Sequence, residues 1–350
     1  MTPFKTLKIE RSPSEQVIEL LKANVIGTPG RSMVYKHKNV SEKIADTSNP
    51  FFANLSIRNR LYGTICLSKR NVCTFGKSHQ AFYLRYFTFR ESLRASNPNE
   101  KSSNSSSKIR DEVALLMNGA GLDFDGYLVL YAYVDSDNVR SRRLIEEFGF
   151  KKMGSFNVIP FSRFYPKINP EVEIVNKGQI DEISTLLKAY YIDEQLVFTD
   201  INPKNGNYFV MRSQGEIVCG VMATPDEWEI KELPGLSGKI MMRIVPKIPA
   251  LGKLFQPQYK FVFLESIYCK EGFHEKLALL LESVLAHYKL SSGTICLDPK
   301  SKVYREVKKL KLGLTQKIMG ETEIDLVIKS TDMSMFNPDA PFYVSGQDVL

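Results

Sequence analysis

Apolar positions along the chain recur in two rhythms, and the same succession of rhythms is met twice. Thr6-Leu7-Lys8-Ile9 alternates as a strand does, and Ser12-Pro13-Ser14-Glu15 follows it. Ser12 suits a helix cap, Pro13 the first turn and Glu15 a capping box, which predicts a helix to Ala23. Glu171 to Val175 alternates in the same way and leads into Ile180, Ile183, Leu186 and Leu187, spaced for an amphipathic helix. Between these openings, Leu61–Leu67 and Ala81–Phe89 are rich enough in aromatic and β-branched residues to be strands. Ile109, Val113 and Leu116 make a helical stripe ending at Gly119, and Tyr127–Val134, apolar almost throughout, reads as a buried strand. Later, Lys260–Tyr268 reads as a strand, Leu277, Leu280, Val284 and Tyr288 as a helix stripe, and Gly293–Leu297 as the next strand.

Strand, helix and strand in succession imply a parallel crossover, which places the fold in the α/β (α+β) classes. Lys8 and Glu173 stand about 165 residues apart, and Gly149 and Gly313 nearly the same, each glycine opening a similar string. A constant offset predicts a duplicated unit: residues 1–165 and 171–350, each a mixed central sheet flanked by helices, joined by Pro160–Pro170 with Pro166 in its middle.

Charge is uneven. Residues 1–170 carry 26 Lys and Arg against 15 Asp and Glu, so the excess of positive charge belongs to the first half. It is scattered and forms no polybasic block, and the alternation of Phe82, Tyr83, Tyr86, Phe87 and Phe89 suits a sheet core, so no nucleic-acid partner is expected. Met1–Glu10 contains no apolar run of the secretory kind, and Leu277–Leu285 is short and interrupted by Glu282. A cytoplasmic protein without a membrane partner is expected. Five cysteines in no Cys-x-x-Cys pair predict reduced, mostly buried thiols and no metal site.

The most informative segment is Asp137 to Phe150, directly after the buried strand. Asn138 is a good helix cap, Ser141, Ile145 and Phe148 share one helix face, and Gly149 can take the left-handed conformation that ends a helix. This segment resembles the late strand-to-helix motif of the GCN5-related N-acetyltransferase superfamily, with Asn138, Ser141, Leu144, Gly149 and Phe150 on the motif positions. The resemblance implies two tandem acyl-CoA N-acyltransferase-like domains. It also implies acetyl-CoA or another acyl-CoA as the donor substrate, and a small-molecule amine or a peptide as the acceptor.

The superfamily's other motif is a glycine-bearing loop whose backbone amides hold the CoA pyrophosphate, a task that small residues at a helix start perform well. On that spacing stand Ser96, Pro98, Lys101, Asn104 and Ser106, with a helix from about Ser107. The implied cofactor-binding residues are Lys101, Ser102, Asn104, Ser105, Ser106, Ser107 and Asn138. In the second unit the spacing falls on Leu264, Ser266, Cys269, Gly272 and His274, where the His274 ring would crowd a pyrophosphate. Lys302 replaces the motif's Asn there, so this unit is expected to be the more degenerate. Many family members protonate the leaving thiolate with a Tyr seven residues after the motif Asn; Ile145 and Lys309 hold those positions here. Glu91 and Glu265 are the carboxylates nearest the expected groove and the candidates for a general base, although Glu265 also reads as a strand residue facing solvent or a Lys. His37, His79, His274 and His287 lack partners at metal or triad spacing and read as surface or turn residues. The alternative is a non-catalytic ligand- or peptide-binding protein on a duplicated scaffold.

Overall fold

The computed structural model describes residues 3–58, 60–89, 104–199, 206–248 and 251–349. The first half runs β1 (Leu7–Glu10), α1 (Glu15–Ala23), β2 (Val34–His37), α2 (Val40–Ala45), β3 (Pro50–Ile57), β4 (Arg60–Thr74), β5 (Lys77–Phe89), α3 (Asn104–Met117), β6 (Val129–Asp135), α4 (Val139–Glu147) and β7 (Lys151–Ser162). The second runs β8 (Val172–Ile174), α5 (Ile180–Tyr190), β9 (Asn207–Ser213), β10 (Glu216–Glu232), α6 (Gly235–Arg243), β11 (Gln258–Cys269), α7 (His274–His287), β12 (Ser292–Leu297), α8 (Lys302–Val307), α9 (Leu314–Met319), β13 (Thr322–Ser330) and α10 (Gly346–Val349). The cap of α1 is Ser14, whose side chain accepts from the Val17 amide; Ser12 lies outside the helix.

The strands form one sheet in the order β1-β3-β4-β5-β6-β13-β7-β12-β11-β10-β9-β8, with β2 paired to β10. Each half builds the same antiparallel meander followed by a parallel pair, β5 with β6 and β11 with β12. The closing strands are exchanged. β7 pairs with β12 of the second half and β13 with β6 of the first, and the two also pair with each other. Backbone hydrogen bonds therefore run unbroken from one half to the other, and Pro160, read as the start of a linker, stands in β7 opposite Thr294. The likeness of the strings after Gly149 and Gly313 does not extend to structure. Lys151–Gly154 begins β7, whereas Leu314–Met319 is helical and β13 starts only at Thr322.

One face of the first half, with Phe51, Leu67, Phe82, Leu84 and Leu130, is covered by Val113 and Leu116 of α3, Ile145 of α4 and Phe148 just after it. In the second half Val221, Leu264 and Ile295 meet Leu277, Leu280 and Val284 of α7. A third cluster joins the halves, drawing Tyr83 and Tyr131 together with Phe156, Phe261, Phe263, Leu326 and the late residues Phe342 and Val344. Side chains of this kind contribute roughly 1.5–3 kcal/mol each when fully buried, so the exchanged strands are held by packing as well as by backbone pairing. Cys66, Cys219, Cys269 and Cys296 are buried free thiols, and Cys73 is half-buried. Among the described residues no helix is long and apolar enough to cross a membrane.

Candidate functional site

In each half the parallel strands separate at their carboxyl ends. β5 and β6 pair only at Phe82–Leu130 and Tyr83–Tyr131, and β11 and β12 only from Val262–Gly293 to Leu264–Ile295. Just beyond the last pair each half has a residue in the left-handed region, Tyr86 at φ +55° and Ser266 at φ +48°, where the register against β4 or β10 shifts. An extra residue on one strand bends it away from its neighbour, so each bulge opens a gap. Gaps at the carboxyl ends of parallel strands are where such sheets receive ligands, and here each gap is followed by a helix, α3 or α7.

The second gap is filled by the chain itself. The Phe342 amide donates to Asp298 Oδ2 at 3.0 Å, the Tyr343 and Ser266 hydroxyls bond at 2.7 Å, and the Gly346 amide donates to Glu265 Oε2 at 2.6 Å. The space left, lined by Tyr191, Glu194, Glu265 and Asp298, holds about one water. Burial, reinforced by Asp298, pushes the Glu194 carboxyl up to about 8. At the start of α7, buried Glu306 stands 3.9 Å from Nδ1 of His274 and accepts from Lys309 Nζ at 2.6 Å. A carboxylate of the protein therefore sits beside the helix end that would attract an anion.

No described segment enters the first gap in the corresponding way. The residues after β7 turn toward α7 instead, with the Arg163 amide bonded to Ser291 O and the Asn169 amide to Ser283 Oγ. The floor of the first gap is polar and buried. Asp348 of α10 pairs with Arg70, accepts from Tyr131 Oη at 2.9 Å, and through its backbone carbonyl accepts from Tyr83 Oη at 2.6 Å. Burial raises the Asp348 carboxyl against the opposing pull of Arg70, and burial together with Asp348 raises the Tyr83, Tyr131 and Tyr133 hydroxyls. Beside the Tyr86 bulge, Lys43 Nζ lies 2.9 Å from His37 Nδ1 and 2.6 Å from Asp226 Oδ2, which also accepts from Trp228 Nε1 at 2.8 Å. Burial, with Lys43 and Arg85 nearby, holds His37 well below its usual range, and burial lowers Lys43 in spite of Asp226.

No family model matches the chain, and no curated protein matches it by sequence. Solved structures do. The chain is similar to N-myristoyltransferase of Saccharomyces cerevisiae with bound myristoyl-CoA at a TM-score of 0.57 and 10% identity, over 94% of this chain and 83% of that one. The same enzyme with bound myristoyl-CoA and inhibitors gives 0.54 and 10%, over 94% and 81%. A GCN5-related N-acetyltransferase from Anabaena variabilis gives 0.48 and 8%, over 92% and 72%. The chain shares the fold of N-myristoyltransferase.

On this fold the residues singled out from sequence fall in three places. Asn104, Ser105, Ser106 and Ser107 lie within the described part of α3, which therefore reaches at least three residues ahead of its expected start. Asn138 caps α4 as expected, its Oδ1 accepting from the Ser141 amide at 3.0 Å. Glu265 is half-buried in the second gap, where its Oε2 accepts from the Gly346 amide at 2.6 Å. Lys101, Ser102 and Glu91 lie outside the described residues. His37 overturns its reading as a surface histidine, because β2, α2 and β10 converge on it. No spacing in the sequence announces that convergence, since β10 joins β2 and α2 from about half the chain away.

Proposed function

We propose that the protein is an acyl-CoA-dependent N-acyltransferase in which the first unit holds the acyl-CoA and the second serves as scaffold. The observation that carries this reading is the contrast between the gaps: the second is filled by Phe342–Gly346 and has Glu306 at its helix start, while no described segment fills the first in that way and it leads to α3. Amides of residues 104–107, with Lys101 and Ser102, would take the pyrophosphate, and the acyl arm would lie in the gap beside the Tyr86 bulge. The acceptor nitrogen attacks the thioester carbonyl carbon, the C–S bond breaks, and the thiolate leaves and takes a proton, giving an amide and free CoA. A strand amide released by the bulge would polarise the carbonyl. The solved N-myristoyltransferase carrying myristoyl-CoA supports an acyl-CoA in this fold, and acetyl-CoA and longer acyl-CoAs are the donors to compare.

Calorimetric titration of the full chain with acetyl-, octanoyl- and myristoyl-CoA tests the reading. One molecule bound per chain is expected, and at a hundred times its dissociation constant the ligand adds roughly 2.7 kcal/mol of stability. No heat and no melting shift with any of the three at millimolar concentration would end it. The non-catalytic alternative is favoured by Ile145, which is buried in the core where the family's acid would stand. It predicts the same binding with no release of free thiol on addition of any amine.

A further inference from the structure

Helix α6 carries more apolar surface than its own packing uses. Its inner face, Met241 and Met242 with Val245 just beyond the helix, packs against Ile230, Leu233 and Phe255. One such face is enough to seat a surface helix on its protein. On the other side Leu236, Ile240, Ile244 and Ile248 recur every four residues and are 79%, 56%, 51% and 40% exposed. Aliphatic side chains exposed singly are ordinary, whereas a row of four along one helix and the turn that continues it marks a surface that meets something apolar. Lys239, Arg243 and Lys247 are exposed and run beside this row at the same spacing.

Charge decides the kind of partner. From Leu233 to Phe255 the chain has four basic residues, Lys239, Arg243, Lys247 and Lys253, and no Asp or Glu. Carboxylates of the preceding strand β10 are engaged elsewhere: Glu227 with Lys260, Glu229 with Lys231 and Lys38, and Glu232 with the Gly30 amide. A second copy of the chain laid on this face would set cations against cations, and a nucleic acid would leave the aliphatic row in water. An anionic lipid surface answers both needs, with headgroups for the Lys and Arg side chains and an acyl boundary for the Leu and Ile. Past Ile248, whose carbonyl accepts from the Gly252 amide at 2.7 Å, the Lys253 ammonium lies 4.4 Å from the ring of the exposed Tyr165. An aromatic ring with a hydroxyl tip suits a boundary that is apolar on one side and wet on the other. We propose that α6 and the turn to Ile248 form a docking surface that lies in the interface of an anionic membrane. The inference stands apart from the acyltransfer reading. It revises the expectation of no membrane partner, which rested on the lack of a spanning run in the sequence, because a helix lying on a membrane surface needs none.

The full chain is mixed with vesicles of phosphatidylcholine alone and of phosphatidylcholine and phosphatidylglycerol in equal parts, and the bound fraction is read by flotation. Binding to the mixed vesicles is expected, at least about tenfold tighter than to phosphatidylcholine alone and falling as salt is raised. Replacing Lys239, Arg243 and Lys247 together by Gln should weaken it about a hundredfold, at about fivefold for each charge. Ile240→Asp combined with Ile244→Asp should weaken it at least about tenfold. Both sets change exposed side chains, so the melting temperature should hold. In Ile240→Trp the new emission should move to shorter wavelength on the mixed vesicles, against the constant background of buried Trp228. No binding to the mixed vesicles, equal binding to both kinds, binding that survives the paired Asp substitutions, or an unmoved Ile240→Trp emission overturns the inference. Binding of heparin without binding of vesicles would hand the face to a soluble polyanion and overturn it as well. If a substituted chain does not fold, the emission of Ile240→Trp decides.

Discussion

The two gaps in the sheet are built alike and end differently. Each lies past a short parallel pairing, each is opened by a left-handed residue on the longer strand, and each leads to a helix. The second has become an anchor for the end of the chain: Phe342, Tyr343 and Gly346 use its polar groups, and Glu306 lies at its helix. Beside the first, the chain places α10 on the floor and crowds charges around the bulge. A duplicated fold can thus keep its architecture in both copies while the groups that would meet a ligand are spent in one of them on internal hydrogen bonds.

The contrast can be broken most severely at the floor. Arg70→Met leaves Asp348 buried and unpaired and should cost about 3–5 kcal/mol in denaturant unfolding, with much of the loss recovered by adding Asp348→Leu. Phe342→Ala should cost about 3–4 kcal/mol by leaving a cavity in the shared cluster. It also sharpens the comparison. If the plug alone excludes acyl-CoA, calorimetric stoichiometry rises from one to two per chain, whereas the account expects it to stay at one because Glu306 remains at the start of α7.

Glu194 gives a smaller, pH-dependent effect. Its folded value of about 8 lies above the ordinary 4.5, so between those values the native state keeps a proton that the unfolded chain has lost. This contribution to stability is fully present at and below the ordinary value, falls as pH rises toward 8, and is spent above it. Melting temperatures followed across that range should decline in the wild type and decline less in Glu194→Gln, which should be the more stable protein at pH 9. The smallest change is Asn138→Ala, which removes one cap hydrogen bond and should cost about 1 kcal/mol in the same unfolding assay.

Much of the fold was legible in the sequence because it depends on local rules. The apolar run of β6, the Asn138 cap and the positive φ of Gly149 each follow from residue type and spacing. The exchange of β7 and β13 was not legible, since edge pairing between distant strands leaves no period in either strand. Ser12 and Ser14 both offer a capping hydroxyl two residues apart, and only the observed backbone chooses Ser14. The site was read least well. Glu265 was picked out by its apolar neighbours, which turn out to mark the filled gap, and His37 was passed over because the residues that enclose it are Lys43 of α2, itself bonded to Asp226, and Trp228 from a strand of the other half.

Amide hydrogen exchange of the full chain, with and without saturating acyl-CoA, tests the asymmetry most directly. The account predicts new protection in peptides covering residues 83–89, 104–117 and 131–138, and none in those covering 264–277 or 296–306. Protection that appears in the second set, or in both sets equally, would contradict it.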